Sequence, residues 1–306
     1  MIDNHIHFCD KERYEELNDL CDEARIERAG LVSLPKMDGG SFNDAVLFAI
    51  RRSPDRFFGF GTLEYDKIHR LSASKQVEIL KSHGFFGLKI WLGKPSIERA
   101  LGIEMDSKII IDALQSCETL HMPVLFHLGD PPPFWETGGL YANGYPSFME
   151  YVKRFERLIS AFPNLTVICA HLMFLADGIE GLTRIMRAHP LLMLDTAPGR
   201  WFFRVLSQHK EQAIAFFGEF SDRVIFGSDA MLFPKEFSLF PYRGNKENLK
   251  TIERIRDFLS LDRAIDDPYP WTDGGESMIN GLCLPSQTVE EILNKDLYTR
   301  IRGNVR

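Results

Sequence analysis

The chain has 306 residues, of which 44% are hydrophobic and 26% are charged. This is the composition of an ordinary globular protein, and the length suits one large α/β barrel or two smaller domains. The formal net charge of −7 argues against sequence-independent binding of nucleic acid, because such binding needs a basic surface. We also expect no membrane partner and no export, since the sequence shows neither an apolar run of membrane-spanning length nor a signal segment.

The five cysteines are odd in number and scattered without CxxC spacing. This usage fits a reducing compartment better than a disulfide framework. We therefore expect a cytoplasmic protein whose cysteines serve as packing residues.

Short apolar runs recur along the chain at roughly the thirty-residue spacing of a βα unit. They predict eight strands, at residues 2–8, 30–34, 57–63, 86–91, 124–128, 165–171, 191–194 and 224–227. Because the runs are continuously apolar, we expect a parallel sheet that is buried on both faces. Eight such units predict a (β/α)8 TIM barrel, formed as a single domain by residues 1–306.

Amphipathic segments between the predicted strands follow residues that commonly begin helices. Ser41, Ser72, Asp106 and Ser147 are the predicted N-caps of helices at residues 42–52, 73–83, 107–121 and 148–162. A last helix is predicted at residues 288–294, after an irregular excursion over residues 262–285.

Two long connections are rich in proline, glycine and aromatic residues, at residues 130–146 and 231–245. Both follow the C-terminal ends of predicted strands, where barrel enzymes form their substrate pockets. We interpret them as pocket walls, with Trp135 as a candidate substrate contact. A structural cap, or a contact within a homo-oligomer, is the alternative.

The first strand carries His5 and His7. Side chains alternate between the faces of a strand, so these two imidazoles point the same way and suit one metal ion. The His-x-His motif alone is equally consistent with a chance pair of surface histidines.

Other residues able to bind metal lie at the predicted ends of later strands. They are Lys89, His127, His171, Asp195 and Asp229. Parallel strands of a barrel end on one side, so these groups should meet. Burying several imidazoles and two carboxylates together is costly without a cation, so the set predicts a metal site although each member alone could be a core residue.

The residues that carry a family resemblance run through the whole chain in the family's order. They are Asp3-Asn-His-Ile-His7, Gly87-Leu-Lys-Ile90, His127, Ala170-His171, Gly227-Ser-Asp229 and Ile301-Arg-Gly-Asn304. With these motifs the chain resembles the metal-dependent amidohydrolase superfamily. The resemblance is to the branch that contains aminocarboxymuconate semialdehyde decarboxylase, related aromatic-acid decarboxylases and a number of hydrolases.

The resemblance implies that His5, His7, His127 and Asp229 ligate a single divalent ion and that His171 assists catalysis. Zinc is the first choice for imidazoles with one carboxylate, and manganese or iron fits the same ligands. A carboxylate in this position can also accept a proton from water, so Asp229 is predicted to be both ligand and general base.

The role of Lys89 distinguishes two interpretations of the site, one with a single metal ion and one with two. A charged ammonium beside a divalent ion is repelled, so the side chain must be neutral, modified or turned away. In binuclear members of the superfamily the corresponding lysine is carbamylated and bridges two metals, which would place His127 and His171 on the second ion. A mononuclear site is favoured, because the branch that the chain resembles usually works with one metal.

Two further polar residues are candidates for supporting roles. Asp195 could accept a hydrogen bond from a ligand histidine. Arg200 could pair with a substrate carboxylate, or it could be a solvated arginine at the start of a helix.

These observations predict an enzyme that hydrolyses an amide, lactone or related bond of a small carboxylated or cyclic metabolite. The alternative is non-oxidative decarboxylation of an aromatic or unsaturated carboxylic acid. A non-catalytic ligand-binding barrel is the third interpretation, although a binding module would not need a complete metal set.

Overall fold

The computed structural model describes residues 1–199, 201–236, 243–267 and 278–303. Nine of its strands form one parallel sheet in the order β8-β7-β6-β5-β4-β3-β2-β1-β9. The strands are β1 Ile2–Phe8, β2 Arg28–Val32, β3 Phe57–Thr62, β4 Gly87–Gly93, β5 Val124–Leu128, β6 Val167–Cys169, β7 Leu192–Asp195, β8 Val224–Ile225 and β9 Ala230–Leu232.

The eighth strand of the barrel is split into β8 and β9. The first piece pairs with β7 and the second with β1. Backbone hydrogen bonds from Asn4 to the Phe226 carbonyl and from Asp229 to the His5 carbonyl, each 2.9 Å, join β1 to the residues between the two pieces. The sheet is therefore curled on itself, and the predicted TIM-barrel fold is confirmed.

Helices surround the sheet. They are α1 Tyr14–Glu23, α2 Asn43–Arg52, α3 Ala73–Ser82, α4 Pro95–Leu101, α5 Lys108–Thr119, α6 Phe148–Ser160, α7 Gly178–Ala188, α8 Phe202–Gln208, α9 Lys210–Phe220, α10 Asn245–Ser260, α11 Ser286–Asn294 and α12 Leu297–Gly303. A small antiparallel hairpin, β10 Ala264–Asp266 and β11 Met278–Asn280, lies within the predicted irregular excursion. In the described part of the chain, no helix combines the length and apolarity needed to cross a bilayer.

Two of the four predicted helix caps are confirmed. The Ser72 and Ser147 side chains accept hydrogen bonds from the backbone N–H groups three residues later. The prediction was wrong at Ser41 and Asp106, because the residues that follow them, Phe42 and Ser107, occupy the N-cap positions.

An apolar cluster fills the barrel interior. It contains Phe58, Phe60 and Phe86, and Leu297 and Tyr298 of α12 pack against these rings. Leu297 is fully buried there. Other strand residues are buried and polar, including His5 and His7 of β1, Lys89 of β4, His127 of β5 and Asp195 of β7.

Lys89 does not lie at the end of its strand, as the sequence had suggested. It is the third residue of β4, which continues to Gly93. The strand extends further because it pairs with β5 up to Leu128, across an irregularity in the register. A Cβ at Gly93 would overlap the His127 carbonyl, so the close approach of these strands requires glycine.

His171 also lies outside its predicted strand, because β6 ends at Cys169. The residues from His171 to Ala176 all have positive φ angles and form a left-handed turn without glycine. Such a conformation costs about 1–2 kcal/mol per residue. Every residue of the turn is buried, so tertiary packing stabilises a backbone that the local sequence disfavours.

Candidate metal centre

His5, His7 and Asp229 bring three potential ligand atoms together. The two Nε2 atoms lie 3.2 Å apart, and Asp229 Oδ1 lies 3.1 Å from His7 Nε2 and 3.6 Å from His5 Nε2. All three residues are buried. The predicted alternation along β1 therefore gives the expected juxtaposition of the two imidazoles.

The backbone around the split strand fixes this corner. Asp3 Oδ1 accepts hydrogen bonds from the backbone N–H groups of His5 and Ser228, at 3.0 and 3.1 Å. A Cβ at Gly227 would lie 2.9 Å from His5 Cβ, so only glycine allows this approach. Asp229 itself has a φ of 55°, a left-handed conformation that directs its carboxylate beside β1.

Asp195 orients the neighbouring groups. Its Oδ2 lies 2.7 Å from His5 Nδ1, and its Oδ1 accepts the backbone N–H groups of His171 and Ala197 at 2.8 and 3.1 Å. The predicted hydrogen bond between Asp195 and a histidine of the cluster is confirmed. Because the carboxylate accepts, His5 carries its proton on Nδ1 and directs the Nε2 lone pair into the cluster.

His127 and His171 form a second pair. His127 Nδ1 lies 3.2 Å from His171 Nε2. The outer nitrogens face carbonyl oxygens, with His127 Nε2 at 2.9 Å from Gly129 and His171 Nδ1 at 3.2 Å from Ala197. Carbonyls only accept, so the protons lie on the outer nitrogens. Two lone pairs then face each other, an arrangement that needs an extra proton or a cation between them.

The two histidine pairs are adjacent, since the ring centroids of His5 and His171 are 5.9 Å apart. Burial lowers the pKa of His127 and of His171 to about 4. Burial also holds the pKa of His5 well below its usual range. These imidazoles are neutral at pH 7, as metal ligands must be.

The carboxylate and the lysine respond differently to burial. Burial alone would raise the pKa of Asp229, but the adjacent His7 imidazole and the other surrounding histidines lower it below its usual range. Burial lowers the pKa of Lys89 to about 8, against the opposing effect of Asp195 and Asp229. Lys89 is 1% exposed, and its amine therefore has an appreciable neutral fraction near pH 7.

The donor set fits a divalent cation. Asp229 Oδ1 and His7 Nδ1 are buried without a hydrogen-bond partner in the described part of the chain. Asp229 Oδ1 and the Nε2 atoms of His5 and His7 form the group of side chains suited to hold an ion. His127, predicted as a fourth ligand, is placed beside His171 and outside this three-residue group.

Of the two predicted substrate contacts, Arg200 and Trp135, the structure describes only Trp135. Arg200 lies outside the described residues. Trp135 ends a 3-10 helix, Pro132–Trp135, in the long loop after β5. Its Nε1 donates to the Pro146 carbonyl at 2.7 Å, and its ring packs against Tyr141 and Phe148. The structure thus shows Trp135 as part of the loop's own aromatic cluster.

Sequence reasoning missed a buried charged cluster beside His127. Lys94 Nζ pairs with Asp130, and Tyr141 Oη donates to the same carboxylate. Burial would raise the pKa of Asp130, but the Lys94 charge holds it below its usual range. The spacing His127-Leu-Gly-Asp130 is the signal that could have placed this carboxylate near the site, whereas nothing in the sequence identifies Lys94 as its partner.

Two phenylalanines that stack on the histidines were also missed. The Phe233 ring lies 5.7 Å from that of His7 at an angle of 26°. The Phe174 ring lies 5.2 Å from that of His171 at 16°. Phe174 reaches this position only through the left-handed turn, which no local sequence signal predicts.

The fold and site define an α/β-barrel enzyme with a cluster of imidazoles and carboxylates at the C-terminal ends of its strands. Residues 2–262 match the family model described as Amidohydrolase. The chain therefore belongs to the amidohydrolase family. No curated protein sequence matches it.

Solved structures share the fold at low sequence identity. An uncharacterised TIM-barrel protein from Bordetella bronchiseptica is 16% identical, with a TM-score of 0.61 over 100% of this chain and 99% of that chain. A probable 2-pyrone-4,6-dicarboxylic acid hydrolase from Acinetobacter baumannii, with citric acid bound, is 18% identical, with a TM-score of 0.50 over 82% and 91%.

A third similar structure contains a metal. It is a 5-carboxyvanillate decarboxylase from Novosphingobium aromaticivorans, complexed with manganese and 4-hydroxy-3-methoxy-5-nitrobenzoic acid. This protein is 15% identical to the chain, with a TM-score of 0.54 over 94% of this chain and 79% of that chain.

Proposed function

We propose that the protein is a metal-dependent hydrolase of small carboxylated or cyclic metabolites. The observation that carries this proposal is the convergence of His5 Nε2, His7 Nε2 and Asp229 Oδ1 within 3.1–3.6 Å. Three buried lone-pair groups at these distances repel each other unless a proton or a cation lies between them, and a divalent ion can contact all three at once.

We propose His5, His7, His127 and Asp229 as the ligands of one divalent ion. When bound, the ion supplies Lewis-acid polarisation of a substrate carbonyl and lowers the pKa of water. Three imidazoles and one carboxylate favour zinc, and the manganese in the decarboxylase of similar fold makes manganese the next choice.

Asp229 is proposed to accept the proton of the attacking water. Its Oδ1 lies 3.1 Å from His7 Nε2 and 3.6 Å from His5 Nε2, so one carboxylate oxygen could contact the ion while the other accepts the proton. His171 is proposed to stabilise charge that develops on the substrate. The His171 backbone N–H donates to Asp195, and the imidazole Nδ1 donates to the Ala197 carbonyl, so this ring is held in one orientation.

Lys89 is proposed to act in its neutral form. The lowered pKa of about 8 makes the amine available either as a neutral contact to substrate or for carbamylation. Carbamylation would convert the cation into an anionic ligand for a second ion, with His127 and His171 as its other ligands. The mononuclear arrangement is the one we propose, and metal stoichiometry separates the two.

Substrate recognition is proposed to involve the loops that follow β5 and β9. Trp135 would present an aromatic wall, and Arg200, in the separate connection between β7 and α8, would pair with a substrate carboxylate. The solved structures of similar fold were obtained with citric acid and with a substituted benzoic acid. These ligands support a small acidic or cyclic molecule as the substrate class.

Decarboxylation of an aromatic or unsaturated carboxylic acid is the second candidate, supported by the decarboxylase of similar fold. The test is a screen of metal-loaded protein against lactones, amides and unsaturated or aromatic acids. Hydrolysis that is lost in Asp229→Asn supports the proposal. Release of carbon dioxide from an acid, without hydrolysis of any lactone or amide, would assign the second function instead.

A further inference from the structure

The two histidines of β1 are held by different means. His5 is anchored through Nδ1 by Asp195 at 2.7 Å, which is the usual way in which a protein orients a metal-binding imidazole. His7 Nδ1 is buried and has no hydrogen-bond partner among the described residues. No hydrogen bond at Nδ1 therefore fixes the His7 ring in the way that Asp195 fixes His5.

Phe233 occupies the position where such a restraint is needed. Its ring is stacked on the imidazole of His7, with centroids 5.7 Å apart and an interplanar angle of 26°. Both side chains are buried. Flat stacking restricts rotation of the imidazole about its χ2 angle, because the ring would have to push the phenyl group aside.

Arg13 fixes the backbone that carries Phe233. Its Nη1 donates to the Phe233 carbonyl at 3.1 Å, and its Nη2 donates to the Arg243 carbonyl at 2.7 Å. The Glu16 carboxylate accepts from Nε at 2.7 Å and from Nη2 at 2.6 Å, which holds the guanidinium in place. Phe233 directly follows β9, and Arg243 directly precedes the Gly244–Asn245 start of α10. The planar guanidinium of arginine can donate to both carbonyls in fixed directions, whereas the ammonium group of a lysine cannot.

The geometry points to Arg13 and Phe233 as positioning residues of the proposed metal centre. Arg13 clamps the backbone after β9, this places the Phe233 ring, and the ring holds His7 in the orientation that directs Nε2 toward Asp229. The inference rests on the proposed function in that His7 is taken to be a metal ligand. In this arrangement the Phe233 ring restrains His7, whose Nδ1 has no hydrogen bond like the one that Asp195 makes with His5.

The test is a double-mutant cycle on zinc affinity, measured by competition with a chromophoric chelator. We expect Phe233→Leu and Arg13→Lys each to weaken zinc binding about tenfold, the lower end of the range for groups that orient a ligand. The double variant should bind no more weakly than Phe233→Leu alone, because both changes release the same ring. Arg223→Lys is the matched control, since Arg223 also donates to two backbone carbonyls, those of Met186 and His189, before β8.

A second measurement is independent of metal. In metal-free protein, the Phe233 ring current should shift the NMR signals of the His7 ring protons, and Arg13→Lys should move them toward ordinary values. If Arg13→Lys fails to fold, Glu16→Gln replaces it and should change both quantities in the same direction by a smaller amount.

The outcomes separate the two proposals. Wild-type protein that binds no zinc while Arg13→Lys still moves the His7 signals would overturn the metal proposal and support the positioning of His7. Wild-type protein that binds zinc, with affinity and His7 signals unaffected by Arg13→Lys, would overturn the positioning inference alone. Additive losses in the double variant would also overturn it, because Arg13 would then act by a route other than Phe233.

Discussion

The two pairs of histidines in the barrel differ in what surrounds them. The His5 and His7 pair faces the Asp229 carboxylate, whereas the nitrogens of the His127 and His171 pair contact each other and two backbone carbonyls. A carboxylate compensates the charge of a cation, and carbonyls do so only partly. The first pair is therefore the better site for a tightly held ion, and the second pair is better suited to share in ligation or to act on substrate.

Among the substitutions that test this comparison, Asp229→Asn should have the largest effect on turnover. The amide keeps the size of the side chain but removes the negative charge and the proton acceptor. We expect kcat to fall at least about 100-fold even when metal is retained, which is the lower range for loss of a general base. Steady-state kinetics and elemental analysis on the same preparation measure the two effects.

Asp296→Asn is the matched control for this prediction, since Asp296 pairs with Arg28 at the start of β2. Its kcat should equal that of the wild type. Full turnover in Asp229→Asn would remove Asp229 from the chemistry.

His171→Asn examines the second pair. In a mononuclear enzyme kcat should fall by roughly 100-fold while the metal content stays the same, because the imidazole acts on substrate. In a binuclear enzyme the metal content should fall as well, because one ligand of the second ion is lost. If turnover and metal content were both unchanged, His171 would be a packing residue with no part in catalysis or metal binding.

Asp195→Asn tests the anchor of His5. The amide can present an N–H to His5 Nδ1, which favours the tautomer with its proton on Nε2 and removes the lone pair from the cluster. We expect metal affinity to fall about 10–100-fold, measured by competition with a chelator. Affinity equal to that of the wild type would show that the hydrogen bond of 2.7 Å does not set the orientation of His5.

Trp135→Ala should have the smallest effect, because the side chain packs within the aromatic cluster of the loop after β5 and contacts Tyr141 and Phe148. We expect KM to rise up to about tenfold with little change in kcat or metal content. A loss of folded protein, with normal kinetics in the folded fraction, would assign Trp135 a purely structural role in its aromatic cluster.

Much of the fold follows from sequence periodicity, and the exceptions have physical reasons. The apolar runs located β1 to β8, since strands buried on both faces must be apolar, but they missed β9, which begins at Ala230. They could not show that the eighth strand is split. Asp229 adopts a left-handed conformation between the two pieces, and this depends on contacts of Asp3 with residues distant in sequence.

Part of the site could also be predicted from the sequence, because strand periodicity determines which side chains share a face. Alternation along β1 placed His5 beside His7, and the order of strands placed Asp195 near them. The positions of His171 and Phe174 depend on a left-handed turn that is stabilised by burial against its local preference. The roles of Lys94 and Arg13 depend on partners far along the chain, which a single sequence does not reveal.

The central claim is that the barrel holds a catalytic divalent ion between His5, His7 and Asp229. Elemental analysis of purified protein, before and after treatment with a chelator and again after addition of zinc, tests it most directly when turnover is measured in parallel. We predict about one zinc per chain, or about two if Lys89 is carbamylated, with turnover lost on chelation and restored with the metal. Full turnover by protein shown to contain no metal would contradict the account.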